Sequence, residues 1–402
     1  MLPPDALQGV AVKNHSTPVA YADEKFPPPD FLRNLFQVCA KEQLARKAVA
    51  VSLSLYSSPF IANCFYFMKL EKYLHNPILS PTPKQPWESL VVCNPGAIYD
   101  QGTFYLLYRA AGNDPQHVIR FGLATSKDGF TFQRSSRQPI LAPSVDGEDA
   151  GCIEDPRIVK IDGHFYITYA YRPHFPGQYW LAPDNAAFNP RDKTQPKAFG
   201  ENLTSSGLLL SDDLKTFRRL GRITDPTLDD RDVILFPEKI KGQFALLRRP
   251  MQWTGKKFGT KYPAIWICFG DDPLKWGQDY LLAKAKFSWE RKIGGSTPPL
   301  KHLKGWFVIY HAVDAQGIYH VGAMVLDLKD PRKVLARTPE PIMSPEAKYE
   351  WQGLYPHGVV FPTANVVVDG RLFVYYGCAD KYIGVATADF DQLVNYVLQF
   401  PA

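Results

Sequence analysis

The sequence predicts an all-β protein, a five-bladed β-propeller that follows a helical N-terminal extension. Three observations lead to this prediction. Aromatic residues make up 13% of the chain and prolines number 35, a hairpin signal recurs five times, and the sequence changes character near residue 67. Aromatic residues favour strands and prolines favour turns, so the composition suits many short strands. The 402-residue length allows one large all-β domain.

Residues 1–67 form the first predicted segment. The stretch FLRNLFQVCAKEQLARKAVAVSL (31–53) has the spacing of an amphipathic helix. The apolar run after it is broken by Ser, Pro and Asn, so it falls short of the roughly 20 apolar residues of a membrane span. It also starts too far along the chain for a signal peptide. Met68 opens a run typical of a protein start, so we hypothesise an extension over 1–67 and a propeller domain over 68–402.

The hairpin signal supplies the blade count. Five glycines, each between an apolar run and a β-rich run such as DGHFYITYAY, are Gly102, Gly163, Gly242, Gly305 and Gly370. Glycine in such a place is typical of a tight hairpin turn, and a third apolar strand follows each time. Units of about 60 to 80 residues cannot bury their faces alone, and a radial arrangement protects their edges. A sandwich with long loops is the alternative architecture.

Charge and cysteine content exclude several classes. The net charge of +6 comes without a dense Lys/Arg run, which argues against a nucleic-acid partner but suits a small anion. Six cysteines occur without a C-x-x-C pair, so neither a metal site nor a disulfide framework is predicted. Reduced thiols in the cytoplasm are the preferred interpretation.

Polar residues recur at matching repeat positions, which a propeller brings together at its axis. Asn94 and Asp155 each lie eight residues before a hairpin glycine, Arg109 and Arg249 lie seven after one, and His311 lies six after one. Charged residues in apolar strands need a partner or a purpose. Their coincidence with the repeat phase predicts a polar pocket for a sugar or an anion.

Taken singly, these residues have plainer interpretations. A strand-end arginine is more often a salt bridge between blades, and a histidine in an apolar strand is as often structural. The acidic trio Asp229, Asp230 and Asp232 would be a solvated turn, and Glu238 would tie a hairpin together.

Six blocks in order carry a family resemblance. NPGAIYDQGTFYLLYRA, IEDPRIV, RDVILFPEKIKGQFALLRRP, KIGGSTPPLK, GWFVIYHAV and VYYGCADKYIGVATA resemble glycoside hydrolase family 130, the β-mannoside phosphorylases and related mannosidases. The likeness runs from Met68 to the C-terminus and implies a five-bladed propeller. It implies that Asp155 is the general acid, acting through the mannosyl 3-hydroxyl. Residues implied to hold the mannosyl ring are Asn94, Arg109 and Asp380. Those implied to bind phosphate are Arg231, Arg249, Lys292, His311 and Tyr319.

The basic set favours phosphorolysis over hydrolysis. An inverting hydrolase needs two carboxylates, whereas a phosphorylase needs one acid and a clamp for phosphate. We therefore expect an inverting enzyme that converts a β-mannoside and inorganic phosphate to α-mannose 1-phosphate and the shortened sugar. The alternatives are an inverting β-mannosidase with Glu238 or Glu154 as base, and a non-catalytic glycan-binding propeller.

Several properties stay open at this level. The linkage (β-1,4 or β-1,2) and the acceptor sugar depend on loops, among them an insertion at 172–203 with Tyr179 and Trp180 as stacking candidates. No metal or organic cofactor is expected, nor a membrane partner. A homo-oligomer is compatible with the sequence.

Overall fold

The structure is a computed structural model that describes residues 68–178, 180–181, 194 and 197–402. The hypothesis of a helical extension over 1–67 concerns residues outside that range, as does the proposal for Tyr179. In the described part nearly every element is a strand, and the strands form five separate antiparallel sheets. The prediction of an all-β, five-bladed propeller is confirmed.

Four of the blades are four-stranded sheets and blade 4 has five strands; the strands of blades 1 to 3 are given from the inner strand outward. Blade 1 contains β2 (Val91–Asp100), β3 (Thr103–Ala111), β4 (Arg120–Ser126) and β5 (Gln133–Arg134). Blade 2 contains β6 (Cys152–Ile161), β7 (His164–Arg172), β8 (Ser205–Ser211) and β9 (Arg218–Arg222). Blade 3 contains β10 (Asp230–Leu235), β11 (Phe244–Pro250), β12 (Ile265–Gly270) and β13 (Tyr280–Ala283).

Blades 4 and 5 depart slightly from this plan. In blade 4 the inner edge is split between two strands that both pair with the next one. Its strands are β14 (Lys292–Gly295), β15 (Leu300–His302), β16 (Gly305–Val313), β17 (Tyr319–Leu326) and β18 (Val334–Arg337). Blade 5 contains β19 (Val360–Val368), β20 (Arg371–Cys378) and β21 (Tyr382–Asp389), and its outer strand is β1 (Glu71–Lys72).

Strand β1 closes the ring. It pairs antiparallel with β21, so that Glu71 lies opposite Thr387 and Lys72 opposite Ala386. The start and the end of the propeller therefore share one sheet, and β21 is paired on both of its edges at that point. Helices are few in the described part: α1 (Lys197–Gly200), α2 (Phe390–Val397) and the 3₁₀ turns Pro86–Glu88, Lys256–Phe258 and Lys348–Glu350.

Four of the five predicted hairpin turns have a Gly with positive φ directly after another left-handed residue. These pairs are Gln101–Gly102, Asp162–Gly163, Lys241–Gly242 and Asp369–Gly370. Two successive positive φ angles define the type I′ turn, whose twist matches that of the strands. The fifth glycine differs, because Gly305 is already the first residue of β16. The turn there is formed by the residues before it.

The hydrophobic core is divided into layers between adjacent blades. Phe121 of blade 1 packs with Ile167 of blade 2, and other layers join blades 2 and 3, 3 and 4, and 4 and 5. A further layer with Leu106 and Tyr375 joins blade 5 back to blade 1. Every blade is thus stabilised on both faces by its neighbours, which is the physical reason a single repeat cannot fold alone.

A set of buried polar contacts recurs within each of four blades and links the strands of that blade. We call this set of an acid, a tyrosine and a cation the tyrosine bracket. In blade 4 the Tyr310 hydroxyl donates to Glu290 Oε1 at 2.9 Å and accepts from Arg337 Nε at 3.1 Å. The acid precedes the inner strand, and the cation lies on the outer strand. The equivalent brackets are Glu88–Tyr108–Arg134, Asp149–Tyr169–Arg219 and Glu350–Tyr376–Lys72. In blade 3 Arg248 stands at the tyrosine position and pairs with Asp230.

The tyrosine bracket predicts a stability effect that is independent of the site. Replacing Tyr310→Phe removes a buried hydroxyl and leaves Glu290 and Arg337 each one partner short, so we expect a loss of about 1 to 3 kcal/mol in the free energy of unfolding. Denaturant unfolding followed by fluorescence measures it. The matched control is Tyr99→Phe, at a side chain that is 38% exposed, with an expected change below about 0.5 kcal/mol. Equal losses in the two variants would contradict the bracket.

Candidate active site

A cavity of about 400 Å³ collects every site residue that the sequence predicted. All five blades contribute to it. The nine residues are Asn94, Arg109, Asp155, Arg231, Arg249, Lys292, His311, Tyr319 and Asp380. Equivalent strands of a propeller converge at its axis, and the repeat phase of the sequence therefore translates into one shared pocket.

Three inner strands place a polar side chain in the cavity by the same backbone device. Asn94, Asp155 and Asp232 have φ of 43°, 54° and 54°, and each lies where the register of its strand shifts. Such a bulge re-aims a side chain out of the normal alternation. Asn and Asp are the non-glycine residues that best tolerate the left-handed conformation. Asp232 was not predicted as a site residue; it is the blade-3 equivalent of Asn94 and Asp155.

The acid side of the cavity is formed by blades 1, 2 and 5. Asn94 Nδ2 donates to Asp155 Oδ1 at 2.9 Å, and Arg109 Nη1 lies 3.2 Å from the same oxygen and 3.0 Å from Glu154 Oε2. Burial raises the pKa of Asp380 above its ordinary value; Arg109 counteracts this in part, and the Asp155 and Glu154 carboxylates add to the rise. Three carboxyl groups therefore share one guanidinium here.

The basic side is formed by blades 3 and 4. Arg231 is held by Asp229 through two hydrogen bonds of 2.7 Å, from Nε and Nη2. Lys292 Nζ donates to the Tyr319 hydroxyl at 3.4 Å. Burial and the adjacent Arg249 lower the pKa of Lys292 to about 8. The Lys292 ammonium is therefore charged at neutral pH and loses its charge as the pH rises through about 8.

A buried carboxylate lies within the basic side. Asp232 Oδ2 accepts from Arg249 Nε at 2.6 Å and is 3.5 Å from His311 Nε2. Burial opposes the ionisation of Asp232, but the Arg249 and Arg157 guanidinium groups hold its pKa below the ordinary value. Gly294 allows this close packing, because a Cβ there would lie 2.3 Å from Asp232 Oδ2.

His311 contributes hydrogen bonding and not charge. It is 1% exposed, and burial lowers its pKa to about 3 although Asp232 acts in the opposite direction. Its Nδ1 lies 3.1 Å from Ser296 Oγ. His311, expected from the sequence to belong to a basic set, is therefore neutral near pH 7 but does line the cavity.

Other lining residues were not predicted. Arg172 and Asn202, at the two ends of the insertion, both line the cavity, and Arg172 Nη1 donates to the Asn202 carbonyl at 3.0 Å. Arg172 ends an apolar strand, which is the same sequence signal that marked Arg109 and Arg249. Tyr355 also lines the cavity, in a loop before β19 that carries no repeat signal. Trp180, a stacking candidate from the sequence, is not among the residues that line the cavity; its ring packs edge-on against His117, with 4.6 Å between the ring centroids.

Glu238, one of the two bases considered for hydrolysis, lies outside the cavity lining. Its Oε1 accepts from Lys301 at 2.6 Å, and its side chain is 44% exposed. It therefore joins blades 3 and 4 at the surface instead of tying its own hairpin. Glu154 does line the cavity, in the ion pair with Arg109.

Three observations on the described residues concern metal ligands, thiols and membrane-spanning helices. No group of three His, Cys, Asp or Glu side chains there could hold a metal ion. The four cysteines of this part, Cys93, Cys152, Cys268 and Cys378, are buried free thiols. None of the helices described here is long and apolar enough to cross a membrane.

The chain is similar over most of its length to several phosphorylases that act on mannosides. A 1,2-beta-oligomannan phosphorylase of Thermoanaerobacter sp. (strain X514) is 36% identical over 334 residues, covering 81% of this chain and 99% of the relative. A beta-1,2-mannobiose phosphorylase of the same organism is 35% identical with the same coverage. A beta-1,4-mannooligosaccharide phosphorylase of Ruminococcus albus is 27% identical over 81% of this chain and 90% of the relative.

A solved structure supports the fold. The beta-1,2-mannobiose phosphorylase from Listeria innocua superposes with a TM-score of 0.66 at 24% identity, over 82% of this chain and 99% of that one. The family model described as beta-1,4-mannooligosaccharide phosphorylase matches residues 69–179 and 198–399. The gap in that match falls inside the predicted insertion. On this extent of agreement the chain belongs to glycoside hydrolase family 130.

Proposed function

We propose that this protein is an inverting β-mannoside phosphorylase. It transfers the mannosyl group of a β-mannoside to inorganic phosphate and releases α-mannose 1-phosphate and the shortened sugar. The observation that carries the proposal is the division of the cavity, with an acid side on blades 1, 2 and 5 and a basic side on blades 3 and 4. The phosphorylase relatives at 35 and 36% identity support it.

Asp155 is the proposed general acid. Its Oδ1 is held by Asn94 and Arg109, while its Oδ2 has no hydrogen-bond partner among the described residues. One oxygen thus orients the carboxyl group and the other is left for the proton. That proton passes through the mannosyl 3-hydroxyl to the glycosidic oxygen, whose bond to the anomeric carbon breaks. Asn94, Arg109 and Asp380 are the proposed partners of the mannosyl ring.

Phosphate supplies the nucleophile on the basic side. One of its oxygens forms the new bond to the anomeric carbon, opposite the leaving oxygen, so the configuration inverts. Arg231, Arg249, Lys292 and Tyr319 are its proposed donors, because charge-assisted and bidentate hydrogen bonds suit a dianion. His311 adds a neutral contact. In this scheme phosphate is the co-substrate and no organic cofactor takes part.

A water-activating base is hard to place in this geometry. A hydrolase would need a carboxylate free to accept a proton on the side opposite the acid. The described carboxylates of that side already have partners. Asp229 accepts two hydrogen bonds from Arg231, and Asp232 contacts Arg249 and His311. Glu154 belongs to the acid side. Phosphorolysis is therefore the chemistry that these contacts favour.

The linkage proposed is β-1,2. The two Thermoanaerobacter relatives are named for β-1,2 linkages at 35 and 36% identity, and the Ruminococcus relative is named for β-1,4 at 27%. We also propose a cytoplasmic location, in keeping with the buried free thiols.

The decisive experiment supplies β-1,2-mannobiose and β-1,4-mannobiose with and without inorganic phosphate. We expect mannose 1-phosphate from the β-1,2 substrate only when phosphate is present, since the described carboxylates on the basic side are all engaged by neighbouring side chains and leave no second base. Product analysis by chromatography and ³¹P NMR measures it. Free mannose formed at the same rate without phosphate would overturn phosphorolysis, while preference for the other disaccharide would overturn the linkage alone.

Replacing Asp155→Asn tests the acid. Without a transferable proton the rate of phosphorolysis should fall about 10²- to 10⁴-fold, while the unfolding midpoint stays near that of the wild type. Glu238→Gln is the matched control, since it neutralises an exposed carboxylate outside the cavity. Initial rates with saturating phosphate measure both. An Asp155→Asn enzyme with more than half the wild-type rate would rule out this role.

The pKa of Lys292 near 8 predicts an alkaline limit to phosphate use. The ammonium is charged below that pH and is lost above it, so kcat/KM for phosphate should fall as pH rises through about 8. Lys292→Arg keeps its charge over the whole range and should remove this limb. The measurement is a profile from pH 6 to 9.5 at saturating mannoside. A profile for the arginine variant that overlays the wild type would exclude Lys292 as the titrating group.

A further inference from the structure

One buried carboxylate on the basic side takes no part in the proposed transfer. Asp232 is 4% exposed and lies on the side of the cavity where phosphate should bind. A carboxylate there would repel a dianion, so its position calls for a compensating purpose. Burying a charge is costly unless it is paired and hydrogen-bonded.

The contacts of Asp232 join three blades. Its Oδ2 takes the hydrogen bond from Arg249 of its own blade and faces His311 of blade 4. Its Oδ1 lies 3.5 Å from Nη2 of Arg157, in blade 2. Arg157 is itself 3% exposed, so the Arg157–Asp232 pair is largely shielded from water.

Arg157 extends this connection to the acid. Its Nη1 donates to the main-chain carbonyl of Asp155 at 2.7 Å, and its Nε donates to the carbonyl of Ser296 at 3.2 Å. Ser296 Oγ is in turn 3.1 Å from His311 Nδ1. The contacts form a closed circuit between the strand that carries Asp155 and the residues proposed to bind phosphate.

Asp232 also restricts the Arg249 guanidinium. Nε is occupied by Asp232 and Nη1 lies against Met251 Sδ at 2.6 Å, so Nη2 is the nitrogen left without a hydrogen-bond partner among the described residues. A guanidinium fixed at two nitrogens loses little further freedom when the third meets a ligand. Such preorganisation lowers the cost of binding.

We propose that Asp232 is a positioning residue that fixes Arg249 and His311 relative to the strand of Asp155, so that phosphate is bound in line with the bond that the acid cleaves. The inference rests on the proposed phosphorolysis. Asp232 acts through its neighbours and takes no proton from substrate. Its negative charge is tolerated because the alignment it provides is needed in the reaction.

The test is a graded pair of variants. Asp232→Ala removes both the charge and the acceptor, and should lower kcat/KM for phosphate about 100-fold, the scale expected for a misplaced binding group. Asp232→Asn keeps an oxygen acceptor for Arg249 Nε and should lose only about 10-fold. For both variants KM for the mannoside should stay within about threefold of the wild type. Initial rates with each substrate varied in turn supply these values.

The matched control is Asp149→Ala. Asp149 is also 4% exposed and also accepts an arginine Nε, from Arg219 at 2.7 Å, but in a tyrosine bracket away from the cavity. The Asp149→Ala substitution should lower the unfolding midpoint but leave kcat/KM for phosphate within about twofold of the wild-type value. The control separates a loss of stability from a loss of alignment.

Two results would overturn the inference in a phosphate-dependent wild type. One is an Asp232→Asn enzyme within twofold of the wild type in kcat/KM for phosphate, which decides the matter even if the alanine variant does not fold. The other is a parallel rise in KM for both substrates. A wild type that releases free mannose without phosphate would instead contradict the proposed function, so the two failures are distinguishable.

Discussion

The bulge in the inner strand of blades 1, 2 and 3 is the constraint on which the site depends. A regular strand alternates its side chains between two faces, and an extra residue in the left-handed region breaks that alternation. For most L-residues this conformation costs about 1 to 2 kcal/mol, and Asn and Asp tolerate it best. The backbone therefore selects, at Asn94, Asp155 and Asp232, residue types that also carry hydrogen-bonding or acidic chemistry. Fold and site share one requirement.

The contacts that stabilise the fold lie away from these strained bulges. The layers between blades and the tyrosine brackets lie around the axis and hold the inner strands in place. Blade 3 departs from this scheme, because Arg248 replaces the tyrosine and pairs with the buried Asp230. Burial raises the pKa of Asp230 to about 6 although Arg248 opposes the shift. Blade 3, which lacks the tyrosine bracket, is also the blade that contributes Arg231, Arg249 and Asp232 to the cavity.

The repeat phase explains what the sequence could and could not predict. Asn94 and Asp155 were found because each lies at the same distance before a hairpin glycine. Asp232 lies two residues further from Gly242, since β10 ends at Leu235 and β11 begins only at Phe244. The fixed spacing therefore missed the third member of the set. Asp380 lies in the turn after β20 and not on an inner strand, so the resemblance to the family located it and the repeat phase did not.

The net charge of the basic side could not be predicted from the sequence, because it depends on which side chains pair with each other in the folded protein. Counting side chains predicted a strongly cationic clamp, yet Arg231 is paired with Asp229, Arg249 with Asp232, and His311 is neutral. A fully unpaired set of cations would bind every phosphate group tightly, including that of the product. An enzyme that takes in phosphate and releases a sugar phosphate gains from donors that are oriented but largely neutralised. The carboxylates on the basic side are consistent with turnover, and not only with binding.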